Sequence, residues 1–402
     1  MTNINIAWLV SAVALIVTTL VFPVVLRFAR RHHIVDNPNA RKLQRVPVPV
    51  LGGVAVYLGI MAGGITLTCF LQDPMLIWGM LAMTIMQAIG TWDDIRDLPA
   101  TLRFAVEIIL VTVLLLITGM YMDDLHGLWG VHGIDTTAAV LLSILSGVGI
   151  INAVNLIDGV DGYSSGYGIM ASACFAFLFW TVDKPVMMCM ALVVMASLLP
   201  FFFHNVFGVR SKMFIGDGGT LMLGMLMTIF VFYTISSKGA CATLEQQGVG
   251  LAALTLAVLC IPVFDTLRVM TARILRGKSP FSPDKTHLHH LFIDMGFSHL
   301  GAAFSILLIN SLVIVAWIVL WQTGVSITGQ FYAVVLMGLM VTTGFYKFMK
   351  MQQNGGKLDS EGYPEGTAIW HIFCHLGEMS HMEKGVLWGF LRRLMDRRMF
   401  AF

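Results

Sequence analysis

Residues 148–162 read VGIINAVNLIDGVDG, an apolar run that ends in amides, acids and glycines. The apolar run extends upstream to about residue 137, and roughly 20 apolar residues are enough for a helix to cross a bilayer. The stretch therefore predicts a membrane helix that stops at a polar cluster. The whole chain shares this character, because 57% of its 402 residues are hydrophobic and 12% are charged, whereas soluble proteins carry about a quarter charged residues.

Repeated runs of this kind predict an all-α integral membrane protein with about eleven transmembrane helices, and ten is the alternative because neighbouring runs lie close together. Arg27, Arg30 and Arg31 follow the first run and no basic residue precedes it, which indicates a retained span rather than a cleaved signal peptide. The cysteines form no CxxC pair, so neither a disulfide framework nor a thiolate zinc site is indicated. The predicted spans are about 5–28, 49–71, 75–92, 100–120, 137–155, 163–182, 185–204, 218–236, 249–268, 299–321 and 328–348.

The distribution of basic residues orients these spans. Of the 25 lysines and arginines, Lys184 and Lys238 follow even-numbered spans, and all the others follow odd-numbered spans. Because lysine and arginine concentrate in cytoplasmic loops, we expect the N-terminus outside and the C-terminus in the cytoplasm.

Five polar segments all fall on the basic side. We therefore expect them to meet in one site at the cytoplasmic face. A lipid-phosphate or ion transporter, the alternative class, would hold its polar groups near the bilayer midplane. The segments are PNARKLQRVPVPVLGG (38–53), GTWDDIRDL (90–98), NLIDGVDG (155–162), KMFIGDGGT (212–220) and SPFSPDKTHLHH (279–290).

The opening stretch carries ligands that suit a hard cation. Asn152 and Asn155 lie one turn apart on the same helix face, and Gly159 and Gly162 indicate that the helix breaks near Asp158. Amide and carboxylate oxygens with nearby glycines favour Mg²⁺, with Mn²⁺ as the alternative. An ordinary glycine turn is the simpler interpretation, but a turn does not require two amides and two acids.

Further acids lie in two other segments. Asp93 and Asp94 point about 100° apart on a helix, so they cannot hold one ion in the same way, and a solvated pair is an equal alternative. Asp217 precedes span 8, where capping the helix is the common role of an acid. The backbone N–H groups of Gly218 and Gly219 are suited to a phosphate.

Histidines and cations complete the set. His287, His289 and His290 lack the i, i+4 spacing of a helical zinc site, so contact with sugar or phosphate is favoured over a zinc site or an exposed polar loop. The basic patch around Lys42 suits a phosphate or anionic lipid, although a plain orientation signal explains it equally well. Arg103, near the start of span 4, is expected to face the site.

This combination favours phosphoryl transfer between a water-soluble donor and a lipid acceptor. Carboxylates alone would repel both anionic reactants, so a bound divalent ion is needed to reverse the local field.

The motifs DDIRD, NAVNLIDGVDG, FIGDGGT and SPFSPDKTHLHHL, with PNARK and PVLGG upstream, resemble those of the polyprenyl-phosphate N-acetylhexosamine-1-phosphate transferases. The resemblance covers residues 30 to about 350. The His-Leu-His-His loop resembles the branch that uses UDP-GlcNAc and undecaprenyl phosphate to begin O-antigen, enterobacterial common antigen or teichoic acid. Thr220 stands where many members have serine, which keeps the hydroxyl.

The resemblance implies a role for each matching position. It implies Mg²⁺ ligands at Asn155 and Asp217, and acceptor-phosphate contacts at Lys42 and Arg103. It implies a uridine pocket formed by Gly159, Val160, Asp161 and Phe214, and sugar-diphosphate contacts from His287, His289 and His290. The acids implied to be catalytic are Asp93, Asp94, Asp158, Asp161 and Asp217.

The implied reaction yields undecaprenyl-diphosphate-GlcNAc and UMP at the bacterial cytoplasmic membrane. Another UDP-N-acetylhexosamine or UDP-MurNAc-pentapeptide is the alternative donor. A phosphate monoester has a second pKa near 6, so the acceptor is already ionised and Asp93 gains little as a general base. Direct transfer and a phospho-enzyme route both remain open, as does a homodimer, and no nucleic-acid partner is expected.

Residues 1–349 are expected to form the membrane catalytic domain, and residues 350–402 a cytoplasmic tail. The tail begins with a polar, glycine-containing linker over 350–366. Leu387, Phe390, Leu391 and Leu394 then recur at helical spacing beside arginines. This pattern predicts a basic amphipathic helix over 384–399 that lies on the inner leaflet.

Overall fold

The computed structural model is almost entirely helical. It describes residues 2–38, 44, 46–239, 241–281, 285–354 and 366–381, and positions 388, 389, 391, 392 and 395. The helices in these ranges are α1 (Asn3–Arg31), α2 (Gly52–Thr68), α3 (Pro74–Arg96), α4 (Ala100–Thr118), α5 (Thr136–Leu156), α6 (Tyr163–Thr181), α7 (Pro185–Phe207), α8 (Gly216–Ile235), α9 (Leu251–Val258), α10 (Cys260–Leu275), α11 (Leu288–Asp294), α12 (His299–Gln322), α13 (Ile327–Leu339), α14 (Phe345–Asn354) and α15 (Ala368–Met379).

Short elements join these helices. Strands β1 (Val35–Asp36) and β2 (Val48–Pro49) pair antiparallel, with Val35 opposite Pro49. The remaining elements are the 3-10 helices Leu128–Gly130 and Cys241–Gln247 and a π-helical turn, Met340–Gly344, between α13 and α14.

The long apolar helices make this an all-helical membrane protein. Among the described residues, 8 helices are long and apolar enough to cross a membrane, or 9 if the bent pair α9 and α10 forms one span. A helix occupies each of the eleven predicted spans, but α2, with 17 residues, and α6 are not among the 8. The count of eleven and the orientation stay predictions.

Helix α8 forms the centre of the bundle. Its most apolar stretch is 100% buried, and the helix contacts α2, α3 and α5. A helix that is apolar on all sides fits only inside a bundle. Glycines allow its close crossings, because a Cβ on Gly90 would lie 2.5 Å from the Cα of Gly218, and a Cβ on Gly53 would lie 2.4 Å from the Cα of Gly219. These crossings hold the start of α8 against α2 and α3.

Helices α9 and α10 meet at a bend of 76°. Pro262 has no N–H to donate to the carbonyl of Val258. Asn310 of α12 supplies replacement partners: its amide donates to the carbonyls of Ala257 (3.3 Å) and Val258 (3.2 Å), and its oxygen accepts from the N–H of Ile261 (2.9 Å). A broken helix within a membrane persists where neighbours satisfy its freed backbone groups, so α12 stabilises this bend.

The C-terminal part begins differently from the prediction. Helix α14 continues to Asn354, five residues beyond the predicted domain boundary, and α15 contacts it. The residue after α15 is attached to the bundle, since the N–H of Ser298 donates to the hydroxyl of Ser380 at 2.9 Å. The predicted amphipathic helix over 384–399, and most of the predicted linker, lie outside the described residues. The division into two domains stays a prediction.

Candidate active site

The polar segments meet around a cavity of about 420 Å³. It lies where α3 and α5 end and where α8 begins, so the predicted convergence at helix ends is confirmed. Asp93 and Arg103 are absent from the lining among the described residues, and Lys42 lies outside those residues. The predicted site residues that line the cavity are Asp94, Asn155, Asp158, Gly159, Val160, Asp161, Phe214, Asp217, His287, His289 and His290.

Asp94 caps the start of α8 from a neighbouring helix. Its Oδ1 accepts from the N–H of Asp217 at 2.8 Å, and its Oδ2 accepts from the N–H of Gly218 at 3.1 Å. The first N–H groups of a helix have no partner within it and favour negative charge. Gly216, with φ +73°, is required here because a Cβ would lie 2.4 Å from both Asp94 Oδ2 and the carbonyl of Val50. Asp94, rather than Asp217, therefore performs the capping role.

Asp217 and Asn155 present oxygens to the cavity. The amide of Asn155 donates to Asp217 Oδ1 and to the hydroxyl of Thr220, both at 2.8 Å. Among the described residues Asn155 Oδ1 accepts no hydrogen bond, and the Asp217 side chain is 40% exposed. A carboxylate and an amide oxygen are the donors that Mg²⁺ prefers. The residues present therefore fit a hard divalent cation.

Asp93 points away from Asp94, as adjacent helical positions require. Its Oδ1 accepts from the N–H of Leu98 at 2.7 Å, and its Oδ2 lies 2.8 Å from Arg103 Nη1. The same nitrogen of Arg103 lies 3.6 Å from Asp217 Oδ2. The pair of buried Asp93 and partly exposed Arg103 connects α3 and α4 to the start of α8. The predicted contact between Arg103 and the acceptor phosphate stays a prediction.

Asn152 does not line the described part of the cavity; its side chain bonds to a glutamate of α4. Its amide donates to Glu107 Oε2 and to the carbonyl of Val148 at 2.9 Å. Glu107 Oε1 lies 3.9 Å from Arg103 Nε. Asn152 therefore joins the network behind Asp217.

Asp158 and Asp161 lie in the turn between α5 and α6 but have different surroundings. Burial raises the pKa of Asp158 to about 7, although the hydroxyl of Ser164 donates to it at 2.7 Å. Burial would also raise the pKa of Asp161, but hydrogen bonds and charges from His299 and Lys212 outweigh it and hold the pKa below its usual range. Lys212 Nζ lies 2.6 Å and His299 Nδ1 lies 3.0 Å from Asp161 Oδ2. Asp161 is thus ionised at neutral pH, whereas Asp158 exchanges a proton there.

Asp265 anchors the histidine segment. Its Oδ2 accepts from His287 Nδ1 at 2.9 Å and from the N–H of Leu288 at 3.2 Å, and its Oδ1 accepts from Arg268 Nη2 at 2.6 Å. The carboxylate is buried, and a buried charge requires such partners. The bond occupies His287 Nδ1 and leaves Nε2 for other contacts. Asp265 is therefore part of the frame around the cavity.

His289 packs over the turn that begins at Asp158. Its ring is parallel to that of His287, at a centroid distance of 5.7 Å, and tilted by 45° from that of His290, at 4.4 Å. Burial and the neighbouring His290 lower the pKa of His289 well below its usual value, so the ring is neutral at pH 7. A Cβ on Gly159 would lie 2.0 Å from His289 Nε2. Glycine is required where the two segments meet.

We expect Gly159→Ala to lower kcat/KM about 100-fold, because a shift of about 1 Å in a positioned group costs roughly that factor. The added methyl displaces His289 and the turn together. The measurement is the phosphoryl transfer that the motif resemblance implies, followed as UMP release by purified protein. Gly149→Ala in α5 is the control, since its Cβ would meet nothing within 4 Å; equal rates for the two variants would contradict this assignment.

Several cavity-lining residues were not identified from the sequence. The sequence signal that could have identified them is their position: they are single charged or amide residues at the ends of predicted spans, on the side rich in lysine and arginine. Two of these residues contact each other: the side-chain amide of Gln44 donates to Asp36 Oδ2 at 2.6 Å. These residues are Asp36, Gln44, Asn205, Arg273 and His299.

The acids and histidines of this helical membrane bundle surround a cavity at the helix ends. This arrangement indicates a membrane-embedded enzyme, because a carrier holds its polar site near the midplane. Residues 76–235 match the model of glycosyl transferase family 4. The chain belongs to this family, and the resemblance found in its motifs is confirmed.

The relatives cover most of the chain. The probable undecaprenyl-phosphate N-acetylglucosaminyl 1-phosphate transferase of Bacillus subtilis (strain 168) is 30% identical over 321 residues, covering 80% of this chain and 86% of the relative. The decaprenyl-phosphate N-acetylglucosaminephosphotransferase of Mycobacterium leprae (strain TN) is 30% identical over 370 residues, covering 84% and 88%. The undecaprenyl-phosphate alpha-N-acetylglucosaminyl 1-phosphate transferase of Escherichia coli (strain K12) is 26% identical over 284 residues, covering 70% and 75%.

Proposed function

We propose that this protein transfers GlcNAc-1-phosphate from UDP-GlcNAc to undecaprenyl phosphate, with release of UMP. The observation that carries the proposal is the meeting of Asp94, Asn155 and Asp217 at a cavity where membrane helices end. Such a site reaches both a soluble nucleotide sugar and a lipid phosphate. The name of the Bacillus subtilis relative supports this sugar and this acceptor. The name of the Mycobacterium leprae relative supports the sugar, with decaprenyl phosphate as the acceptor.

The reaction exchanges one phosphorus–oxygen bond for another. An oxygen of the lipid phosphate attacks the β-phosphorus of UDP-GlcNAc, and the bond from that phosphorus to the bridging oxygen breaks. UMP leaves with the bridging oxygen. Because the lipid phosphate is already largely ionised at pH 7, positioning and charge neutralisation dominate over proton removal.

Asp217 and Asn155 hold Mg²⁺ in this proposal. Mg²⁺ held there would supply charge neutralisation for the two anionic reactants, and Mn²⁺ would fit the same oxygen ligands. Asp94 keeps Asp217 in place through the backbone of α8. Arg103 holds the opposite side of the same carboxylate at 3.6 Å.

The substrates divide the rest of the cavity. A volume of about 420 Å³ lies within the usual range for ligand pockets, about 300–1,000 Å³. Phe214, half-buried in the lining with Lys212 Nζ 5.7 Å from its ring centre, stacks on the uracil base. Gly159, Val160 and Asp161 complete the uridine pocket. The sugar-diphosphate contacts are His287, His289 and His290. The proposed acceptor-phosphate contacts, Lys42 and Arg103, are not part of the described cavity lining.

The proposed topology has eleven spans, an external N-terminus and the cavity on the cytoplasmic face of the bacterial inner membrane. The helices at all eleven predicted positions support the count. The concentration of lysine and arginine in the segments at the cavity end supports the orientation.

The test is UMP release by the purified full-length protein in detergent, with undecaprenyl phosphate as acceptor. We expect release with UDP-GlcNAc, loss of release in excess EDTA and recovery with Mg²⁺ or Mn²⁺. UDP-GalNAc, UDP-glucose and UDP-MurNAc-pentapeptide compare the donors. Faster release with another donor would revise the sugar, and lipid-phosphate movement in vesicles without UMP release would favour a transporter.

A further inference from the structure

A second polar cluster lies at the end of the bundle opposite the cavity. Asp124, His126 and His132 belong to the segment between α4 and α5, and Glu245 belongs to the 3-10 helix that follows α8. Helix α8 begins at the cavity, and its 20 residues rise about 30 Å. These four residues, the loop cluster, are therefore separated from the catalytic acids by about the thickness of a membrane.

The side-chain atoms of the loop cluster converge on a small volume. Asp124, His132 and Glu245 each place one nitrogen or oxygen within 4.8 Å of the others. His132 Nδ1 lies 3.8 Å from Asp124 Oδ1 and 3.4 Å from Glu245 Oε1. Ligands about 2.0–2.2 Å from a tetrahedral zinc ion lie roughly 3.3–3.6 Å apart. The observed separations are close to that spacing.

His126 is the buried member of the loop cluster and holds both acids in place. The ring is 2% exposed, and its Nε2 contacts the carbonyl oxygen of Ile235. Its Nδ1 faces Glu245 Oε2 at 3.2 Å and Asp124 Oδ1 at 3.8 Å, and its backbone N–H donates to Asp124 Oδ1 at 2.6 Å. The two carboxylates are therefore fixed beside His132 before an ion binds.

We propose that the loop cluster binds a divalent transition-metal ion of the Zn²⁺ class through Asp124, His132 and Glu245. An imidazole nitrogen combined with carboxylates suits zinc. His126 supports the site, because its ring lies against both acids.

The ion joins two segments that hydrogen bonds already connect. Asp123 accepts from the N–H of Ser237 at 2.8 Å and from the Ser237 hydroxyl. Two ligands lie between α4 and α5 and the third follows α8, so the ion closes the same junction. Its role is to hold the ends of these helices opposite the active site.

Metal content and thermal unfolding of the full-length protein in detergent test the proposal. The protein is stripped with EDTA, dialysed, and titrated with ZnCl₂, and zinc per chain is measured by mass spectrometry. We expect about one zinc ion per chain that His132→Ala removes, and a rise in Tm with zinc that this variant lacks. His132 is 61% exposed, so its replacement leaves the fold intact.

Two further variants separate this site from other zinc-binding histidines. Glu245→Gln keeps the size of the side chain and is expected to lose the same ion. His371→Ala, an exposed position on α15, is expected to keep it. Zinc content that is equal in wild type, His132→Ala and Glu245→Gln would overturn the proposal. A Tm of the wild-type protein that does not change with zinc would also overturn it.

Discussion

Asp217→Asn is expected to lower kcat/KM for UMP release by about 1,000-fold, the largest effect of any single substitution considered. Losing one charged group that stabilises a transition state costs about 100–1,000-fold, and this carboxylate also serves the proposed metal ion. The substitution changes little else, because the amide oxygen of the new asparagine still accepts from Asn155, as Asp217 Oδ1 does at 2.8 Å. Arg103 at 3.6 Å then loses a charge partner without losing Asp93.

The measurement is UMP release at several Mg²⁺ concentrations, with Tm as a check on folding. Asp294→Asn is the matched control: this carboxylate is 48% exposed, lies outside the cavity lining and pairs with Lys350 at 3.1 Å. We expect wild-type activity from the control. Activity of Asp217→Asn within tenfold of wild type at the same Mg²⁺ concentration would contradict the assigned role.

That the polar segments meet at one cavity could be predicted from the sequence, because it follows from local features of each segment. Apolar length predicts a helix, and lysine and arginine indicate which ends share a side. The break after α5 was also predictable, since Gly159 and Gly162 mark it and α5 ends at Leu156. The structure confirms that break and the common cavity.

The partners of the acids were not predictable, because they lie far apart in the sequence. Asp94 bonds to a residue 123 positions away, and Asp265 to a residue 22 positions away. In the sequence, Asp265 is a single acid inside predicted span 9. Its place beside the histidines follows from the 76° bend after α9. Asp161 likewise gives no local sign of its pairing with Lys212 and His299.

Asp93→Asn is expected to lower kcat about 100-fold, with the same ratio to wild type at every pH from about 5 to 8, a range that spans the second pKa of the lipid phosphate. Both oxygens of Asp93 are engaged, one by the N–H of Leu98 and one by Arg103, and the residue is absent from the cavity lining among the described residues. The side chain therefore acts by positioning Arg103 beside Asp217. Asp97→Asn is the matched control, since Asp97 is exposed with φ 49°, a conformation that asparagine also adopts.

Two readouts separate positioning from general-base catalysis. If Asp93 removed a proton from the acceptor, the defect would disappear as rising pH ionised the lipid phosphate, whose second pKa lies near 6. A defect that is large at about pH 5 and absent at about pH 8 would therefore establish the base role and refute positioning. If Asp93 instead works through Arg103, the double variant Asp93→Asn/Arg103→Gln should have the same kcat as the less active of the two single variants. The effects of residues that act as one unit are not additive. Losses that multiply would show that the two side chains act independently, so the pH profile and the double variant each test the pair by a different route.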